Sequence, residues 1–172
     1  LTPSISHPIQ AHFSNNKDVP KNLLEFVSQK VEYIHSGISG TPVSPNLFFK
    51  GMSESWEPIQ KNYDFIRDGY ESLVLQVLLQ SENSDPSVDI ITITGVAGSG
   101  KTTLLRRLAY DLSIKHGELV LYSAPDTVLR VSPFLELYEN TNKRTILLVD
   151  NAADKIIDLE KDPKTDEYKP KE

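Results

Sequence analysis

Eight consecutive residues, Gly-Val-Ala-Gly-Ser-Gly-Lys-Thr at 95–102, constrain this 172-residue chain more than any other stretch. Before them lies the β-branched run Val88-Asp89-Ile90-Ile91-Thr92-Ile93-Thr94. After them Leu104, Leu105, Leu108, Ala109 and Leu112 recur at helical spacing, with Lys115, His116 and Gly117 as the expected helix end. Strand, glycine turn and helix in that order match the G-x-x-x-x-G-K-[ST] pattern at every specified position. The chemistry explains the letters. A polyphosphate is gripped by backbone N–H groups that must approach closely, which a Cβ would prevent at Gly95, Gly98 and Gly100. The helix that follows adds its own unpaired N–H groups and the positive end of its dipole.

Residue roles follow from this arrangement. Lys101 is a point charge for the β and γ phosphates, and the Thr102 hydroxyl is placed to ligate magnesium. Ser99 belongs to the same cradle. Thr103 is counted with the nucleotide contacts, although a packing residue in the first helical turn is the plainer reading. A second acidic position is expected at the end of Thr145-Ile146-Leu147-Leu148-Val149, a buried strand that closes with Asp150. An aspartate there sits where open α/β sheets gather ligands and can hold magnesium through water. It could equally cap the next helix. Asn151 follows Asp150, and an amide orients water without accepting its proton at neutral pH. Losing a placed general base costs on the order of 100 to 10,000-fold in rate, so slow turnover is expected unless Asp154 or another chain supplies the base.

The fold class expected is α/β, a P-loop NTPase core with a parallel sheet flanked by helices, preceded by a short helical segment. Leu23, Phe26, Val27, Val31 and Ile34 predict one amphipathic helix from about Pro20 to Gly37. Tyr70, Leu73, Val74, Val77 and Leu78 predict another. Leu119-Val120-Leu121-Tyr122 reads as a strand, and Ser132-Pro133 as a helix start. Residues 1–17 read as loop. The Gly, Ser and Pro content of 36–45 marks a boundary, which divides the chain into 1–45, a helical linker or the end of an upstream effector domain; 46–154, the NTPase core; and 155–172, a charged tail or disconnected segment. The tail from Asp154 on has 12 charged residues among 19, which argues for solvation.

Composition excludes several classes. With 18 basic and 24 acidic side chains the net charge is −6, against the basic surface that binding a nucleic-acid backbone needs. Cysteine is absent, which removes thiolate nucleophiles and cysteine zinc sites. His7, His12, His35 and His116 lack ligand spacing, so magnesium would arrive with the nucleotide. No apolar run nears the roughly 18 residues of a membrane span, and no secretory leader is visible, so a cytoplasmic protein is expected. Leu1 opens the sequence, which reads as a piece of a longer chain. The guanine-reading Asn-Lys-x-Asp segment is missing, which tilts the nucleotide toward ATP. Trp56 is expected in a core, and Arg106 and Arg107 are expected to face solvent.

The glycine loop with its flanks, GVAGSGKTTLLRRLAYDL, and the later ILLVDNAAD resemble the STAND class of P-loop NTPases, signal-transducing ATPases related to AAA+ and NACHT switches. Phe65-Ile66-Arg67-Asp68 resembles their hydrophobic-hydrophobic-Gly-Arg element, with Ile66 where glycine is usual. Phe49-Lys50-Gly51 and Ser55-Trp56-Glu57-Pro58-Ile59 resemble the leading segment of novel STAND proteins from bacterial conflict systems. The resemblance implies ATP and magnesium as cofactors, Arg67 on the adenine side, an effector domain upstream, a sensor domain downstream and a homo-oligomer on activation. It implies a slowly hydrolysing switch in antiviral defence. It also implies a sheet order of 5-1-4-3-2, of which this chain supplies strands one to three, so an incomplete core is expected. A metabolic kinase or motor-type ATPase is the competing function; a kinase needs an arginine-bearing lid, which the tail does not show.

Overall fold

The computed structural model describes residues 7–13, 18–51, 55–79, 89–123, 127 and 129–152. A 3-10 turn, Pro8–His12, is followed by α1 (Lys21–Gln29), β1 (Glu32–Tyr33), α2 (Pro45–Phe49), α3 (Glu57–Gln60), α4 (Tyr70–Leu79), α5 (Lys101–Ile114), β2 (Leu119–Ser123), α6 (Ser132–Thr141) and β3 (Thr145–Val149). These elements fall into two compact units, one made of residues 1–34 and 118–172, the other of 35–117.

The first unit holds a three-stranded sheet in the order β1-β2-β3. Leu119 pairs with Thr145 and Ser123 with Val149, in parallel register, as the implied strand order requires of these two neighbours. All five residues of β2 are buried, the pattern of a strand covered on both faces. On one side Leu119 and Leu121 join Ile9, Leu23, Phe26, Val27 and Leu137 in a common core. Phe26 of α1 meets Phe134 of α6 edge to face, with ring centroids 5.1 Å apart. Residues 7–13, expected to be loop, thus contribute a turn whose Ile9 is fully buried.

The helix expected to run to Gly37 stops at Gln29. Lys30 closes it by donating to the Phe26 carbonyl, and the next residues pair antiparallel with β2, Glu32 opposite Tyr122 and Tyr33 opposite Leu121. Ile34 extends this by donating its N–H to the Val120 carbonyl at 3.0 Å. Val31 and Ile34 keep the apolar period but are buried as extended chain. A distant strand offers their backbone groups a ladder, and no local propensity reports that.

In the second unit, Ser44 precedes α2 and Pro45 occupies its first turn, where a missing N–H costs nothing. Trp56 and Ile59 are buried, and the Arg106 guanidinium lies 5.7 Å from the Trp56 ring centre. On α4, Tyr70, Val74 and Val77 are buried, as the stripe predicted. Helix α5 ends as expected, with Gly117 at φ +70° and its N–H on the Ser113 carbonyl.

Of the run expected as a strand at 88–94, residues 89–94 form none: among the described residues nothing pairs with them, and Ile90 stands 58% exposed. The parallel sheet expected around the glycine loop is therefore absent from the described residues, because a β-rich run becomes a strand only where a neighbouring ladder satisfies its N–H and C=O groups. The charged tail and Asp154 lie outside the described residues. Among the described residues no helix is long and apolar enough to cross a membrane.

Candidate functional site

The loop at 95–102 turns tightly before α5. Ser99 donates its N–H to the Val96 carbonyl at 3.2 Å, and Gly98 takes a φ of +73°. Gly100 is the residue before the helix and is left-handed, at φ +76°, ψ +30°. A side chain there would be strained by the backbone and would also strike the Arg67 guanidinium. The first turn of α5 begins at once: Leu104 donates to the Gly100 carbonyl at 3.0 Å, which leaves the earlier helical N–H groups of Lys101, Thr102 and Thr103 with no partner one turn back. Thr102 is exposed and Thr103 half-buried.

Lys101 folds its ammonium back over the loop, donating to the Gly95 carbonyl at 2.8 Å and the Val96 carbonyl at 3.0 Å. Both acceptors are neutral, so the cation is satisfied in hydrogen bonds but not in charge. Arg67 approaches the same loop and donates from Nη2 to the Ser99 carbonyl. Six of the expected nucleotide residues, Gly95, Gly98, Ser99, Gly100, Lys101 and Arg67, are thus brought together within one unit, with Thr102 and Thr103 beside them.

Next to the loop is a cavity of about 330 Å³. Gly98, Gly100, Thr103 and Leu104 form its loop side, Phe48, Phe49, Phe65 and Ile66 supply an aromatic and apolar wall, and Arg67 also lines it. Phe49 and Phe65 lie 5.7 Å apart at 35°, and Phe65 is 81% exposed. A flat apolar ring and a charged tail find complementary surfaces here, since the apolar wall and the cationic loop adjoin.

Below this wall lies a polar cluster that sequence reasoning missed. Arg107, expected to face solvent, is 3% exposed. Its fork grips Asp64 through Nε at 2.8 Å and through Nη2, while Nη2 also donates to the Ile59 carbonyl at 2.6 Å and Nη1 reaches Asp111 at 3.4 Å. Asp111 in turn accepts from the Tyr70 hydroxyl at 2.8 Å and from Lys115 at 2.9 Å. Desolvation opposes the charge on Arg107, but the hydrogen bonds and charge of Asp64 and Asp111 outweigh it and hold the guanidinium above its ordinary value. Burial first, then the hydrogen bond to Asp111 and its charge, push the Tyr70 phenol far up. A signal was present. Arg107 and Asp111 stand four apart beside Leu104 and Leu108, an ion pair at the margin of an apolar stripe.

Asp150 and Asn151 belong to the other unit. They follow β3, where Asp150 accepts from the Tyr122 hydroxyl at 3.3 Å and from the Asn151 backbone N–H at 3.0 Å, one bond to each carboxylate oxygen. Asn151 is exposed and left-handed, at φ +52°. Among the described residues no three His, Asp or Glu side chains are grouped to hold a metal ion.

A family model described as Novel STAND NTPase 5 matches residues 46–164. That span contains the glycine loop, the aromatic wall, Arg67 and Asp150. Neither a curated protein nor a solved structure matches the chain.

Proposed function

The chain belongs to the novel STAND NTPase 5 family, a membership that supports a nucleoside-triphosphatase switch, and on that premise we propose that it binds ATP with magnesium and hydrolyses it slowly. The observation that carries this reading is the loop at 95–102, with two left-handed glycines and a lysine whose ammonium, among the described residues, has neutral carbonyls for partners.

In this reading Lys101 exchanges those carbonyls for phosphate oxygens, and the first N–H groups of α5 complete the grip. Thr102 would hold the magnesium that arrives with the nucleotide. Bound magnesium supplies charge neutralisation on the phosphates. The base stacks on the wall of Phe48, Phe49 and Phe65, whose breadth and apolar character suit adenine. The sequence has an amide, Asn151, where a second acid would take the proton of water, which suits slow hydrolysis and a persistent ATP-bound state. Such persistence suits a switch whose nucleotide state biases neighbouring domains, an upstream effector, a downstream sensor and further copies of the chain, toward assembly. The likeness of the leading segment to conflict-system proteins supports a place in bacterial antiviral defence.

A thermal-shift titration of the intact chain tests the core of the reading. ATP with magnesium at 100 times its dissociation constant should stabilise the fold by about 2.7 kcal/mol, and Lys101→Ala should abolish the response. The absence of any shift in the unsubstituted chain would sink the switch.

A further inference from the structure

Two cations reach the same glycine loop from different parts of the sequence. Lys101 follows the loop directly. Arg67 comes from the stretch 65–69, donates to the Ser99 carbonyl and lies against Gly100 where a Cβ would otherwise stand. This stretch is held at both of its ends by α5: Asp64 before it is gripped by Arg107, and Tyr70 after it is bonded to Asp111, one helical turn further on. The two anchors and Lys101 thus share one helix. Between the anchors, Phe65 and Ile66 are 81% and 58% exposed, so it is the anchors that fix the stretch rather than burial of its side chains.

We infer that Arg67 is a second phosphate-reading cation of this site, held over the glycine loop by the Arg107–Asp64 and Asp111–Tyr70 anchors. The inference rests on reading 95–102 as a nucleotide loop, and it departs from the adenine-side role implied by resemblance. Arg67 contacts the loop that would carry phosphate, through the backbone of Ser99 and the open face of Gly100. A guanidinium has five donors in a planar fork, and one is committed to Ser99. The remaining donors match the paired oxygens of a polyphosphate better than a single ammonium does. Arg107 and Asp64 are positioning residues: they touch no part of the loop backbone and act through the stretch they hold.

Calorimetric titration of the full chain with MgATP and, separately, with tripolyphosphate, which has no base, tests the assignment. Arg67→Ala should weaken both ligands by a similar factor, about 10- to 100-fold, the equivalent of one charge-assisted hydrogen bond. Arg67→Lys should recover part of that loss for both, because charge returns without the fork. The assignment is overturned if Arg67→Ala weakens MgATP and leaves tripolyphosphate unchanged, which makes Arg67 a base-side residue, or if neither ligand is affected. ATP binding by an unsubstituted chain that ignores tripolyphosphate also overturns it. Lys101→Ala separates the two levels of the argument: loss of both ligands there with none in Arg67→Ala preserves the loop and removes only Arg67, whereas an unsubstituted chain that binds neither ligand removes both.

Discussion

Lys101 and Arg107 stand on the same helix, two cations six positions apart, and the protein treats them in opposite ways. Arg107 is enclosed by two carboxylates and a carbonyl, so its charge is fully answered inside the fold. Among the described residues Lys101 meets carbonyl oxygens and no carboxylate. On the proposed function, the difference separates a cation that holds structure from one kept for an anionic ligand. It also shows why burial alone is a poor guide to function: the more elaborate cluster is the structural one.

Arg107→Ala should be the most damaging change, because it takes the guanidinium from the buried Asp64 carboxylate and one of three partners from Asp111. A loss of about 3 to 5 kcal/mol is expected in urea unfolding. If the loss stays below about 1 kcal/mol, the cluster is no keystone and the contrast fails. Lys101→Ala should do the reverse, leaving unliganded stability within about 0.5 kcal/mol while removing the whole ATP-dependent gain of about 2.7 kcal/mol in thermal shift.

Tyr70→Phe keeps the ring and removes one donor from Asp111, at a cost of roughly 1.5 kcal/mol by the same unfolding assay. Its pH dependence sharpens the point. The phenol is raised in the folded state, so its contribution is complete below the ordinary value of about 10 and is lost as pH climbs beyond it. The unsubstituted chain should therefore lose stability between pH 9 and 11 more steeply than Tyr70→Phe, and parallel profiles would count against the Tyr70–Asp111 bond. Lys115→Ala removes a largely exposed partner of the same aspartate, with a side chain 61% accessible. Only about 0.3 to 0.5 kcal/mol is expected, as for solvent-screened pairs at i, i+4 spacing. A loss as large as that of Arg107→Ala would mean that charge count, not burial, governs the cluster.

The parts of this molecule that local patterns determine were legible in the sequence. The glycine loop, the stripe of α4, the Gly117 end of α5 and the start of α6 all rest on contacts within a few residues. What escaped depends on distant partners. Arg107 looked solvent-facing because Asp64, the residue that makes its burial tolerable, is supplied by a separate element. Val31 and Ile34 continued a helical period but joined the extended chain against β2. Two β-rich runs make the case most clearly: 145–149 pairs along its length with β2, whereas 89–94, richer in β-branched residues, pairs with nothing described. Composition offered no way to tell them apart. Of the candidate site, the turn of the glycine loop was legible; resemblance named Arg67 for the adenine side, and the anchors that hold it had no signal in that resemblance.

The order in which the chain is made bears on the first unit. Glu32 and Tyr33 wait for Tyr122 and Leu121, and every residue of 35–117 is synthesised in between. On a ribosome, the apolar residues of α1 leave the tunnel long before their partners in β2 and α6 exist, while the intervening unit already has all of its own sequence. Closing so long a loop adds little to the equilibrium cost, since each doubling of length costs only about 0.6 kcal/mol, but it delays the closure. Within the first unit, the segment that is translated first is thereby the one that must wait longest for its partners.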